Sequence, residues 1–435
     1  YNEFHYALYK LTWAEINGNF GQYHRQDDSC VIAYSYTAGR ENTYDSIHYF
    51  TTPRGTIMGE FTINDLALFN HEGVLASELE KENKATHVVM AADGWLQGNN
   101  TIDLLSLGSG FWYRISPDSL FHPGSIPLQA RVQTIGQIEV IGTCEGGLSH
   151  ITSNQKESLA YLDYQGTLNT EYLAFMDVHN IGNTLYVENG IDRGNNQNIV
   201  FTENLQPRTL YWVGGAATED NPAGGNWNDK THWSLSSGGP GGECPPTMLD
   251  DVYFDMGSGF VDSGMYVNIN VKYACANNFI WEPVDNLPTI AAMNTEAPFP
   301  YWYVDSCNLK IWGDFKTNQD MQYLFLGKVY FESEDDDEYE SIIHDWTYEQ
   351  QPGVFVNLHQ FLNQVYFWGR EGKWRLDSKY ENYSDTTFLL MGEVLLEDDT
   401  MSMYNFNAMD TLRKGIYLLG KTLVTLHQYQ ACLLY

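Results

Sequence analysis

Two stretches near the start of the chain share one pattern: residues 54–68, RGTIMGEFTINDLAL, and residues 93–107, DGWLQGNNTIDLLSL. Both carry glycines at the same two places, and both end in Thr-Ile-x-x-Leu-x-Leu, which puts Thr101 39 residues after Thr62. A weaker copy, TYDSIHY, begins at Thr43, 19 residues before Thr62. Intervals of 19 and 39 residues predict a structural repeat of about 20 residues.

Each copy alternates apolar and polar residues after a glycine at a bend, and this two-residue period is typical of a β-strand. A repeat this short cannot bury its apolar face alone, but stacked copies share a core and satisfy their backbones through parallel ladders. The sequence therefore predicts an all-β fold, a parallel β-solenoid (β-helix) with rungs of about 20 residues. A series of immunoglobulin-like sandwiches competes with it, but their turn signals recur every 8–12 residues or so.

The second half of the chain repeats a different phrase, Val-Tyr-Phe, at residues 252–254, 329–331 and 365–367. The separations of 77 and 36 residues are close to four and two rungs, so we expect the same type of fold to continue. The predicted organisation has three parts: the end of one β-solenoid module at 1–206, a Gly/Trp/Pro-rich junction at 207–255, and the start of the next module at 256–435.

The junction is the densest run of Gly, Trp, Asn, Asp and Pro in the chain. Trp212, Trp227 and Trp233 stand among turn residues, and each can bury about 150–250 Å². The side chains of Asn228 and Asp229 can bond to nearby backbone and build turns. We therefore expect a folded connector rather than a flexible linker, which would be rich in Gly and Ser without large apolar groups.

The pattern YWVGG…GNWND…HWSLSSGGPGGECPPT…DDVYFD resembles the recurrent junction of giant secreted repeat proteins of Bacteroidota, a group that includes the cell-surface adhesins of gliding bacteria. The stretches at 137–144 and 189–196 are similar to the same family more loosely. The resemblance implies a non-enzymatic structural segment of a giant extracellular adhesin or surface filament, which supports cell-surface adhesion or gliding motility. Its expected partners are neighbouring modules of the same long chain and surface polysaccharide.

The charge balance narrows the partners further. With 23 basic and 56 acidic residues the net charge is −33, which argues against nucleic acid because phosphate binding needs clusters of Lys and Arg. Such acidity serves solubility, or alternatively binds divalent cations.

No run of 18 apolar residues occurs, so no membrane-spanning segment is expected. The chain starts at Tyr1 without a signal peptide and stops within strand-like sequence, so we expect an internal fragment of a longer protein.

None of the six cysteines forms a CxxC pair, which disfavours zinc and thioredoxin-like sites. We expect a disulfide between Cys244 and Cys275, because these residues flank the strands that open the second module; free buried thiols are the alternative. The pairing of the other four is left open: Cys30, Cys144, Cys307 and Cys432.

No cofactor is expected, with calcium as an open alternative. The weak candidate ligands are Asp251 and Asp255 beside the junction, and Asp335 and Asp337 in the acidic run 332–340. That run lacks the glycine and the alternate spacing of a dedicated calcium loop, so a solvated loop is the competing interpretation.

Catalytic motifs are missing from the sequence: it has no HExxH, GxSxG, phosphate loop or GxGxxG. We therefore expect no enzyme. Two alternatives stay open. The first is a carbohydrate-binding module in which the junction tryptophans stack on sugars. The second is a polysaccharide-degrading β-helix enzyme with paired carboxylates across a groove.

Overall fold

The structure is a computed structural model of the chain. It describes residues 14–16, 36–49, 54–68, 72–76, 82–90, 92–117, 132–142, 144–214, 224–292, 307–334, 338–397, 400–408, 414–419 and 423–426. The chain divides into two compact units, Tyr1–Leu205 and Gln206–Tyr435.

Strands dominate both units. Those of the first unit are β1 (Ala14–Ile16), β2 (Tyr36–Tyr49), β3 (Arg54–Leu68), β4 (Glu72–Ala76), β5 (Glu82–Met90), β6 (Gly94–Gln97), β7 (Asn99–Gly108), β8 (Trp112–Ile115), β9 (Val132–Ile141), β10 (Ser149–Ser153), β11 (Ala160–Tyr164), β12 (Thr170–Glu171), β13 (Leu173–Met176), β14 (Val178–Asn180), β15 (Leu185–Glu188), β16 (Ile191–Asp192) and β17 (Ile199–Phe201).

Those of the second unit are β18 (Thr209–Trp212), β19 (Gly224–Asn226), β20 (Trp233–Ser234), β21 (Asp251–Phe254), β22 (Tyr266–Asn268), β23 (Tyr273–Ala276), β24 (Phe279–Trp281), β25 (Thr289–Ala291), β26 (Asn308–Ile311), β27 (Phe315–Lys316), β28 (Gln322–Leu324), β29 (Lys328–Phe331), β30 (Glu340–Ile343), β31 (Trp346–Gln351), β32 (Val354–Leu358), β33 (Val365–Leu376), β34 (Tyr380–Glu397), β35 (Thr400–Asn407), β36 (Lys414–Leu419) and β37 (Leu423–Leu426). Short 3₁₀ helices lie at Cys144–Gly146, Lys230–His232 and Met256–Ser258, and the described residues contain no α-helix.

Parallel pairing organises the first unit. One column of stacked strands runs β3, β5, β7, β9, β11, β14, and a second runs β3, β4, β6, β8, β10, β13, β16. The long strand β3 belongs to both columns, and β12, β15 and β17 form a third, separate sheet. The all-β class and the parallel pairing predicted from the sequence are confirmed.

The recurrence that opened the sequence analysis is a stacking register. Thr43 pairs with Thr62, Thr62 with Lys84, and Lys84 with Thr101, all in parallel. The interval of 39 residues thus spans two successive parallel pairings, and we call the chain between one paired residue and the next a turn. The next turn is longer, since Thr101 pairs with Thr134, whereas the last turn of this column is short again, since Leu162 pairs with Asn180.

The second unit repeats this organisation with three columns. The first column contains β18, β21, β24, β27 and β30, and the second contains β23, β26 and β29. The third is a separate sheet of β19, β22, β25 and β28. The long strand β33 joins the first two columns, because Val365–Phe367 pairs with β29 while Trp374–Leu376 pairs with β30. Bulges on either side of Trp368 turn the strand between these two pairings.

One spacing inference was wrong in detail. The Val-Tyr-Phe phrases at 329–331 and 365–367 pair residue for residue, so 36 residues are one turn here and not two. The extra length is the antiparallel hairpin of β31 and β32, which lies between them. The phrase at 252–254 lies in β21, in a different column.

Aromatic rings fill the core of the second unit turn after turn. Phe279 stacks on Phe315 at 5.4 Å between ring centroids, and Phe331 stacks on Phe367 at 5.2 Å. These contacts join successive turns through the apolar side of the strands, so stacking adds to the backbone ladders. In the described part of the chain, no helix has the length and apolarity to cross a membrane.

Candidate functional site

The three junction tryptophans form one buried cluster, which we call the tryptophan cap. Trp212 and Trp233 are 0% exposed and Trp227 is 1% exposed. Trp233 lies edge-on to both neighbours, with ring centroids 5.3 Å from Trp212 and 4.8 Å from Trp227. No face of these rings is open to a sugar.

The cap lies at the edge of the first sheet of the second unit. Strand β18 pairs in parallel with β21 on one side and in antiparallel with β20 on the other. An unpaired edge strand would expose a row of N–H and C=O groups as a template for other chains. The short strand β20 covers this row at Tyr211 and Trp212, where the rings of the tryptophan cap are buried.

His232 completes the cap. Its ring stacks on Trp212 with centroids 4.6 Å apart and planes 5° apart, and its Nδ1 lies 2.9 Å from the carbonyl oxygen of Val213. Gly225 makes room for it, because a Cβ atom on this residue would lie 1.9 Å from the Nε2 of His232. Hence the glycine-rich stretch is required here for close packing.

Polar side chains of the junction fix the local backbone by hydrogen bonds. Asp229 caps the 3₁₀ helix Lys230–His232 and accepts hydrogen bonds from the Thr231 amide at 2.9 Å and hydroxyl at 2.7 Å. Burial acts to raise the pKa of Asp229, but these hydrogen bonds and the charges of His232 and Lys230 outweigh it, so the pKa falls below its usual value.

Asparagine side chains link this segment to the next turn. Asn270 donates from Nδ2 to the Oδ1 of Asn228 at 2.7 Å, and Asn268 donates in the same way to Asn226 at 2.8 Å. Each pair joins residues one turn apart, so the amides form short ladders parallel to the backbone ladder. Asn228 therefore has a structural role in stacking.

A buried carboxylate anchors the start of β18. Asp250 is 1% exposed and accepts hydrogen bonds from the backbone N, Nε and Nη2 of Arg208 at 2.9, 3.0 and 2.8 Å. Thr247 adds a backbone N–H and a hydroxyl at 2.7 and 2.9 Å. The two oxygens of this carboxylate thus accept five hydrogen bonds. Sequence reasoning missed Arg208, since the two residues are 42 positions apart.

The two candidate calcium ligands near the cap are hydrogen-bonded within the fold. Asp251 Oδ1 accepts from the side-chain amides of Asn277 at 2.9 Å and Asn278 at 2.8 Å. Asp255 caps the 3₁₀ helix Met256–Ser258. No group of three or more His, Cys, Asp or Glu suited to a metal occurs among the described residues. Asp335 and Asp337 lie outside them.

Asp251 begins a polar ladder that runs along one corner of the second unit. Asn278 Oδ1 accepts from the backbone N of Asp314 at 2.6 Å, and Asp314 Oδ1 accepts from the backbone N of Ser341 at 2.7 Å. The Ser341 hydroxyl then donates to Asp377 at 2.5 Å. Each step joins one turn to the next, so the acidic residues of this corner serve stacking.

The predicted Cys244–Cys275 disulfide is wrong. Cys244 is disulfide-bonded, as is Cys144, whereas Cys275 is not part of a disulfide. Cys275 lies inside β23 and pairs with Lys310 of β26, so its position is fixed by the parallel ladder and not by a cross-link. Cys307 is not part of a disulfide either, and Cys30 and Cys432 lie outside the described residues.

The arrangement of these residues serves to close, cap and stack strands. Comparison with protein-family models, with curated proteins and with solved structures finds no match to this chain.

Proposed function

We propose that this chain is a structural segment of a long extracellular protein, a surface adhesin or filament, and that both units are parallel β-solenoids. In such a protein each module transmits load and holds adhesive parts away from the cell. The proposal rests first on the tryptophan cap, which closes the start of the second unit.

A cap at this point supports a modular array. Terminal turns of a stacked fold need a special closing structure, because an open end exposes both apolar core and unpaired backbone. Here the closure is built from Trp212, Trp227 and Trp233, which lie in or directly after the first strands of the second unit. A protein with many modules in series needs such a closure at every junction.

Turn-to-turn bonding supports a mechanical role. Successive turns are joined by backbone ladders, by the amide pair Asn228–Asn270 and by the corner ladder from Asp251 to Asp377. Separating two neighbouring turns therefore breaks backbone bonds together with the side-chain bonds that join that pair of turns. The net charge of −33 keeps such a chain soluble and repels other copies.

The resemblance of the junction to adhesins of gliding bacteria supports a place at the cell surface. Carbohydrate binding by the junction tryptophans is disfavoured because these rings are buried. We therefore do not propose the tryptophan cap as a sugar site.

Two measurements on the organism that encodes the chain test this function. Protease treatment of intact cells is expected to release peptides of this segment, and in-frame removal of 206–435 is expected to reduce adhesion or gliding while the rest of the protein is still exported. Peptides found only after lysis, or normal adhesion and motility without the segment, contradict the proposal.

A further inference from the structure

The hairpin formed by β31 and β32 differs from everything around it. Its two strands pair with each other in antiparallel fashion, and within the described residues they pair with no third strand. Every residue from 348 to 357 is exposed. A two-stranded ribbon on its own is at best marginally stable in water, so this one is suited to gaining a further strand.

The base of the hairpin is firmly held. Trp346 is 2% exposed and its Nε1 donates to the carbonyl oxygen of Gln360 at 3.2 Å. The backbone N of Thr347 donates to the carbonyl oxygen of Met321 at 2.9 Å. Below these, Asp345 and His359 close the base with a contact of 2.5 Å. The ribbon therefore projects from a fixed position.

The projecting part is apolar and nearly neutral. Tyr348 and Val356 lie opposite each other and are 42% and 37% exposed, and Val354 and Phe355 are 47% and 56% exposed. Among residues 348–357 the one charged side chain is Glu349, which accepts a hydrogen bond from the Gly353 amide at the turn. The ribbon is therefore a nearly neutral surface on a chain whose net charge is −33.

The two edges of the ribbon are protected unequally. A bulge between Glu349 and Gln351 distorts the edge of β31. The β32 edge, Val-Phe-Val at 354–356, carries no charge, proline or bulge, which are the devices that natural edge strands use against pairing. Strand addition is therefore expected at β32.

We propose that the hairpin is the contact site for a second copy of this chain, whose β32 adds antiparallel to the first to form a four-stranded intermolecular sheet. A two-fold axis makes such a contact self-complementary, since both copies offer the same apolar edge. Elsewhere two copies of charge −33 repel each other, so they meet where charge is lowest. A basic partner would be drawn to the acidic surface instead.

Sedimentation velocity of the full 435-residue chain tests the proposal with three proteins: wild type, Val356→Lys and the control Val261→Lys. Val261 is 65% exposed in a loop of the same unit, so the control makes the same chemical change away from the hairpin. Wild type and control are expected to dimerise weakly and reversibly, because the interface is small. Val356→Lys is expected to lose the dimer.

Salt dependence and hydrogen exchange show whether a dimer forms through the hairpin. Because salt screens repulsion between like charges, the dimer is expected to strengthen as ionic strength rises. In wild type, amides of 354–358 are expected to gain protection as concentration rises, a readout that stands even if Val356→Lys fails to fold. A chain that is monomeric at every concentration and salt, a dimer that Val356→Lys retains, or a dimer that salt weakens overturns the proposal. This outcome is independent of whether the protein serves adhesion.

Discussion

The indole Nε1 of Trp233 donates a hydrogen bond of 2.7 Å to the backbone carbonyl oxygen of Trp227. The two residues are six positions apart, and the bond folds the intervening chain back so that both rings are buried edge to face. The Trp233 ring therefore stabilises the fold both by packing and by its hydrogen bond, and two substitutions at Trp233 distinguish these contributions.

Trp233→Ala is expected to destabilise the second unit by about 3–5 kcal/mol, because it removes a large buried ring and leaves a cavity. Trp233→Phe keeps most of the packing and loses the hydrogen bond, for a cost of about 1–3 kcal/mol, since the Trp227 carbonyl is left buried. Urea unfolding measures the loss of stability in both variants, and hydrogen exchange of the amides of β18 and β21 shows whether the loss lies at the cap. The control Tyr404→Ala removes a ring that is 40% exposed, lies outside the hairpin and is expected to change little. Equal effects of all three substitutions would show that the cap contributes nothing special.

Gly225→Ala is expected to be strongly destabilising for a steric reason, because the added methyl group would displace His232 from Trp212. Gly264→Ala is the matched control. Its φ of +89° makes alanine strained, but no described atom lies within 4 Å of the added Cβ. The control is expected to lose about 1–2 kcal/mol, and Gly225→Ala considerably more. The melting temperatures of the two variants are compared. A clearly lower value for Gly225→Ala supports the steric cost, and equal values would mean that backbone strain alone explains both.

His344 predicts a pH dependence of stability. Burial lowers its pKa to about 3, against the effect of its hydrogen bond to the Gln360 carbonyl. The neutral ring donates from Nε2 to Gln360 and accepts at Nδ1 from the Thr317 hydroxyl at 3.0 Å. Since the unfolded histidine titrates near pH 6.5, its stabilising contribution is complete above that pH and is lost as the pH falls from about 6.5 towards about 3.

Within that window the free energy of unfolding is expected to fall by about 1.4 kcal/mol for each pH unit from this group alone. His344→Gln keeps a neutral hydrogen-bonding side chain that does not titrate, so the difference in slope between the two proteins isolates the histidine. Urea unfolding of both at pH 7 and pH 5 measures it. Parallel pH profiles would mean that His344 is not buried in its neutral form.

Arg208→Met is expected to cost roughly 3 kcal/mol, because it leaves the carboxylate of Asp250 buried without its cation. Arg375→Met breaks the pair with Asp377, whose side chains are 43% and 27% exposed, and is expected to cost less than about 1 kcal/mol. The two variants remove the same charge and keep a long side chain. Similar unfolding midpoints for both would contradict a buried clamp at Asp250.

The sequence was informative wherever side chains repeat at the spacing of one turn. Thr43, Thr62 and Thr101 could be aligned because the alternation of their strands is regular, and they stack as expected. The Val-Tyr-Phe interval was misread because an inserted hairpin doubles the length of one turn without altering the register of Val329 on Val365. Insertions at corners are invisible to a count of residues.

The candidate site shows a similar limit. The spacing of Trp212, Trp227 and Trp233 among turn residues indicated a folded segment, but not that an antiparallel strand would close the sheet edge. Cysteine pairing depends on which loops meet in space, and Cys244 and Cys275 merely flank the same strands in sequence. Asp250 and Arg208 are likewise joined by geometry that local pattern does not encode.

The long strand β33 has a consequence for how such a chain changes over evolution. Earlier turns of the second unit pass from one column to the next through two or three residues between separate short strands, and Asn278 and Asp314 of the polar ladder lie at these corners. In β33 the corner is part of the strand, and a Cβ on Gly369 would lie 1.8 Å from the carbonyl oxygen of Ser333. We therefore expect insertions to be disfavoured at the corners that carry the polar ladder, and at Gly369 we expect even a single added methyl group to disturb the register of β33.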